Sequence, residues 1–141
     1  MQKTRYITVD LEVRSSAPFN AFCEFFEQYD LCAMLLEDEE SDGWMSNISL
    51  DAMNNAETCI QHYLSVLKAM PVQAREDWNK AHHRCMNIGY HSSSSDWGFS
   101  DQLTADTLAK MAEMDIAVAF TLYPIDMQDD YIDCYEDEAP N

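Results

Sequence analysis

The stretch Arg5-Tyr6-Ile7-Thr8-Val9-Asp10-Leu11-Glu12-Val13-Arg14 decides the fold. Ile7, Val9, Leu11 and Val13 alternate with Thr8, Asp10, Glu12 and Arg14. A period of two sends the first set to one face of an extended chain and the second set to the other. This is a half-buried strand, and the rest of the chain must supply the elements that cover its apolar face. Next come Ser15 and Ser16, which offer a helix cap, and Pro18, which suits a first helical turn. Phe19, Phe22, Cys23 and Phe26 fall at helical spacing, which predicts a helix over residues 17–29. The apolar run 31–36 predicts a second strand. It stops at Glu37-Asp38-Glu39-Glu40-Ser41-Asp42-Gly43, too charged for any packed element, so a loop is expected there. Residues 44–48 return as a third strand and make a hairpin around it.

Further along, Ser49 is the expected cap of a helix over about residues 50–70, with Met53, Ala56, Ile60, Tyr63, Leu64 and Leu67 as its inward stripe. Pro71 breaks that helix and starts another through Trp78. Residues 83–90 read as a strand with Met86, Ile88 and Tyr90 on one face. Thr104 caps a helix whose apolar face is Leu108, Met111 and Ala112, and Asp115 ends it. Ile116, Val118, Phe120 and Leu122 then alternate as a last, buried strand. The order β-α-β-β-α-α-β-α-β predicts an α+β fold: one compact domain over residues 1–124, with a mixed or mainly antiparallel sheet packed with helices. Residues 125–141 form an acidic C-terminal tail. No internal repeat points to a solenoid.

The 141 residues carry 26 Asp and Glu against 8 Lys and Arg, a formal net charge of −18. A chain of this length is expected to be one domain, and 47% hydrophobic residues are enough for a globular core. The acidity argues against direct binding to nucleic acid or to an anionic membrane, since both need a basic footprint. No apolar run is long enough to span a bilayer and no leader pattern opens the chain. The five cysteines (Cys23, Cys32, Cys59, Cys85, Cys134) are odd in number, scattered and without a Cys-x-x-Cys pair. They read as buried thiols in a reducing compartment, so a cytoplasmic protein is expected.

Charge is the most informative feature for function. Five acids in 37–42 and seven in 126–138 make 12 of the 26. One reading is plain solvation of a hairpin tip and a tail. The other is a surface that docks on a basic partner, with carboxylates meeting Arg and Lys. The candidate contacts are Glu37, Asp38, Glu39, Glu40 and Asp42 in the loop, and Asp126, Asp129, Asp130 and Asp133 in the tail. Trp44 beside the first acidic run, and Tyr131 and Tyr135 inside the second, are candidate aromatic anchors with charged rims, though Trp44 also suits the core.

Other chemistry is poorly provided for. His82, His83, Cys85 and His91 offer ligand atoms, but adjacent histidines diverge on a strand and no pair has familiar zinc spacing, so no metal site is expected. No Gly-rich phosphate loop, nucleophile elbow or His-Glu-x-x-His is present. Neither a catalytic residue nor a cofactor is expected.

Gly43-Trp44, the helix through His62-Tyr63-Leu64, and the run Leu103-Thr104-Ala105-Asp106-Thr107-Leu108-Ala109-Lys110-Met111-Ala112-Glu113-Met114-Asp115-Ile116-Ala117-Val118-Ala119-Phe120-Thr121-Leu122-Tyr123 form a recognisable pattern. A short Leu/Ala helix, a turn and a hydrophobic strand ending in Tyr resemble the immunity proteins of bacterial polymorphic and contact-dependent toxin systems, over about residues 40–123. The resemblance implies a small α+β protein that binds a cognate toxin, with no active site of its own. It transfers no binding residue. Where the toxin is a nuclease its groove is basic, and an acidic inhibitor is the complement. The expectation is therefore an immunity protein acting on a toxin with a basic surface. The alternative is a phage-type nucleic-acid mimic that blocks a host defence or DNA-binding protein. A third possibility is a small enzyme or metal protein built on His82, His83 and Cys85.

Overall fold

The first strand, β1, runs Arg5–Ser15, longer than its apolar alternation alone, and lies in the middle of a five-stranded sheet. A computed structural model describes residues 3–29, 33–40, 42–49, 53–95 and 97–124 of the chain. The further strands are β2 (Leu36–Asp38), β3 (Gly43–Ile48), β4 (His83–His91) and β5 (Ala117–Tyr123). The helices are α1 (Asn20–Glu27), α2 (Ala56–Lys68), α3 (Val72–Lys80) and α4 (Ala105–Glu113). The sheet order is β2-β3-β1-β4-β5. Three of its pairings are antiparallel and β4–β5 is parallel, so the fold is α+β with a mixed sheet.

The period-two pattern becomes two unlike faces. Val9, Leu11 and Val13 of β1, Ile48 of β3, and Met86 and Ile88 of β4 are 0–1% exposed and share one core cluster with the helices. Each such side chain contributes about 1.5–3 kcal/mol on burial. Asp10, Glu12, Arg14, His83 and Asn87 lie half-buried on the opposite face. The alternation slips once. Between Tyr6 and Thr8 the register with β4 shifts, so Tyr6 rather than Ile7 pairs with Tyr90. Ile7 is thus the extra residue of a bulge and is only partly buried, not the first member of the inner row.

Several local expectations give way to long-range contacts. Helix α1 starts at Asn20 and takes no side-chain cap from Ser15 or Ser16; Ser15 still belongs to β1. The backbone N–H of Phe22 instead donates to Asp77 Oδ2 on α3, at 3.1 Å. Phe22 stacks on Trp78 of the same helix (centroids 5.5 Å apart) and touches Phe19 and Phe26. Helix α2 begins at Ala56, capped by Asn55, whose Oδ1 accepts from the Thr58 N–H at 2.8 Å, rather than at Ser49. Residues 33–35 form no strand, and 31–32 lie outside the described residues. Tyr63 of α2 sets its hydroxyl between the carbonyl oxygens of Val9 and Ile48, at 2.9 and 2.7 Å, and so ties the helix to two strands.

Helix α4 does follow its sequence signals: the Thr104 hydroxyl accepts from the Thr107 N–H at 3.2 Å. At its end the Ile116 N–H bonds to Met111 O and the Asp115 N–H to Ala112 O, with Asp115 left-handed at φ 56°. This is a Schellman ending, and Ile116 and Met111 are both buried as that motif requires. Of the expected apolar face, though, only Met111 is buried; Leu108 and Ala112 are exposed. Strand β5 is likewise an edge strand, not a buried one: Phe120 is 62% and Leu122 65% exposed. Among the described residues no helix is long and apolar enough to cross a membrane.

Candidate functional site

The acidic segment is built into the sheet more deeply than its composition suggests. Glu37 and Asp38 are not loop residues; they belong to β2 and pair with Trp44 and Gly43 of β3. Asp38 is 4% exposed. Its Oδ2 lies 3.5 Å from Arg14 Nη1 on β1, and its Oδ1 accepts the Glu40 N–H at 3.2 Å, shaping the turn. Asp38, expected as one of the exposed acids of the run, thus differs from its neighbours. It is buried and acts within the hairpin, because an Arg two strands away compensates its charge.

Gly43 explains how the hairpin sits so close to β1. A Cβ there would lie 2.6 Å from the backbone oxygen of Ser15. Asp42, just before it, takes the left-handed φ of 56°, a conformation Asp tolerates better than most residues. Glu37, Glu39, Glu40 and Asp42 are all exposed. Glu37, Asp38, Glu39, Asp42, Gly43 and Trp44 line an open cleft of about 250 Å³. Trp44 is half-buried: it packs against the core and also lines the cleft.

Chemically, the cleft offers hydrogen-bond acceptors and negative charge beside Trp44. That combination suits a guanidinium or ammonium group. The charges are solvent-facing, so their pull is screened over about 8 Å at physiological salt. The tail candidates Asp126, Asp129, Asp130, Tyr131, Asp133 and Tyr135 lie outside the described residues.

The structure holds a second concave feature that the sequence reading missed. An open apolar groove of about 430 Å³ runs between β5 and the segment before α4, lined by Tyr90, Phe99, Leu103, Leu108, Phe120 and Leu122 among others. The Tyr90 hydroxyl donates to Asp101 Oδ2 at 2.6 Å along its rim. The signal was present as an unbroken uncharged run in 116–123, but taking that strand as buried hid it.

Below the groove, Glu57 of α2 gathers the start of α4. Its carboxylate accepts from the Thr104 N–H at 3.0 Å, from the hydroxyls of Thr104 and Thr107 at 2.8 Å each, and from Gln61 Nε2 at 2.8 Å. Desolvation opposes its ionisation, but these donors outweigh it and hold the carboxyl below its ordinary pKa. As for the histidines, His82 is exposed and its backbone N–H donates to Arg14 O, whereas His83 and Cys85 lie on the open face of β4. Cys23, Cys59 and Cys85 are free and buried; Cys32 and Cys134 are outside the described residues. In comparison with known proteins, no family model, no curated protein and no solved structure matches this chain.

Proposed function

We propose that the protein is an inhibitory binding protein whose β2–β3 hairpin docks on a basic protein, in the manner of an immunity protein neutralising a toxin. The observation that carries this reading is the cleft in which Glu37, Glu39 and Asp42 stand around Trp44. An Arg or Lys of the partner is the complement of its carboxylates, with Trp44 beside them. Glu40, exposed on the same turn, extends the field toward the approaching partner. Asp38 has a different role: it holds the turn in shape through the Glu40 N–H while Arg14 of β1 pairs with its other oxygen. The acidic tail adds long-range attraction, and a basic nuclease domain is the target that the net charge best complements.

A nucleic-acid mimic would use the same carboxylates, and the partner separates the two readings. A toxin encoded beside this gene favours immunity; a host defence or DNA-binding protein favours mimicry. The decisive experiment captures partners from the source cells with the native chain and with a Glu37→Lys, Glu39→Lys, Asp42→Lys variant. A single basic protein held by the native chain, weakened more than tenfold by the variant and by raised salt, is the expected result. Equal capture by both baits would take the hairpin out of the interface.

A further inference from the structure

We propose that Glu12, His83 and Cys85 form a binding site for a thiophilic divalent cation, zinc above all, on the open face of the sheet. One ligand atom from each residue lies within 4.8 Å of the other two. Two features of the fold bring them together. His83 and Cys85 are two apart on β4 and therefore share a face, and the antiparallel register sets Glu12 of β1 directly opposite Cys85. Glu12 Oε2 is 3.5 Å from His83 Nε2. A tetrahedral zinc shell with bonds of about 2.0–2.3 Å spaces its ligand atoms roughly 3.3–3.8 Å apart, so the trio needs to close by about 1.5 Å at most.

The carboxylate is also oriented. Asn87 Nδ2 donates to Glu12 Oε1 at 3.4 Å, and the Thr121 hydroxyl of β5 donates to Asn87 Oδ1 at 2.8 Å. Because the Asn87 oxygen is engaged by Thr121, its amide nitrogen faces Glu12. This leaves Oε2, the oxygen nearer His83, for the ion. Such outer contacts fix the direction of metal-binding carboxylates. The donor set of one sulfur, one nitrogen and one oxygen suits zinc and disfavours the all-oxygen ions calcium and magnesium.

The side chains of Glu12 and His83 are 27% and 39% exposed, so the fourth position opens to solvent, where water or a partner's side chain completes the shell. Arg14, next along this face, has its guanidinium paired with Asp38, which offsets its charge near the site. On binding, the Cys85 thiol proton is displaced to solvent as the sulfur–metal bond forms.

The test is titration of the reduced full-length chain with Co²⁺. The expected result is one equivalent bound with a thiolate-to-cobalt charge-transfer band, which Zn²⁺ then bleaches. Cys85→Ser abolishes the band, Glu12→Gln and His83→Ala weaken binding at least about tenfold, and Asn87→Ala weakens it while keeping the band. A Cys32→Ser, Cys134→Ser variant retains it. In the unmodified chain, Zn²⁺ protects Cys85 from alkylation as read by mass spectrometry, which needs no variant to fold. Absence of the band, its persistence in Cys85→Ser, or alkylation of Cys85 at the same rate with and without Zn²⁺ would overturn the site.

Discussion

The two ends of the sheet solve the same problem in opposite ways. At one end β2 is three residues long and acidic, and it closes a hairpin whose single buried carboxylate is matched by Arg14. At the other, β5 is seven residues long and carries no charge, and its large side chains stand out from the core. A short charged edge resists pairing with other chains, while a long apolar edge invites it. The acidic end is costly to build and depends on tight contacts; the apolar end leaves its large side chains exposed. The ends should therefore differ in how much stability each residue contributes.

Gly43→Ala tests the tight end most severely. The new Cβ meets backbone rather than a movable side chain, so β3 must separate from β1, at a cost of about 2–3 kcal/mol in urea unfolding. Arg14→Ala comes next. It leaves the Asp38 carboxylate buried without its cation and should cost about 2 kcal/mol; the double variant Arg14→Met, Asp38→Leu should recover part of that loss. A double variant no better than the single one would mean that Asp38 is held by its turn contacts alone.

Near the apolar end, Glu57→Gln should cost about 1 kcal/mol, because a charged acceptor for four donors becomes a neutral one. The Glu57 carboxyl lies below its ordinary pKa in the folded state. Its contribution is therefore complete above the unfolded-state pKa and is lost as pH falls toward the lower folded-state value. Thermal unfolding in mild acid should show a smaller pH dependence in the Gln variant than in the native chain. The smallest effect is expected at Phe120→Thr, below about 0.5 kcal/mol, since most of that ring is exposed. A loss there as large as that of Arg14→Ala would break the contrast between the two ends.

The legible parts of the molecule were those governed by nearest neighbours. The inner row of β1 from Val9 to Val13, the face of β4 with Met86, Ile88 and Tyr90, and the Thr104 cap all follow from spacing that a few residues carry. The acidic run shows where such reasoning fails. Its charge density marked residues 37–42 as exposed, which holds for Glu37, Glu39, Glu40 and Asp42, but Asp38 found an arginine 24 residues earlier in the chain. The aromatic stripe placed α1 correctly, yet its cap comes from Asp77, 55 residues away from Phe22. Of the cluster His82, His83 and Cys85, only the last two face the same way, and their third partner, Glu12, is named by strand register alone.

What the sequence determined by itself is the order of elements, the two-faced character of the central strand, the acidity and the helix ends with strong local signals. Side-chain periodicity and capping act over a few residues, so they are written in contiguous stretches. The tertiary structure decided the strand order, the burial of Asp38, the exposure of β5 and the meeting of Glu12 with Cys85. Each of these depends on which strands become neighbours, and that choice rests on packing and charge pairing between residues far apart in the chain.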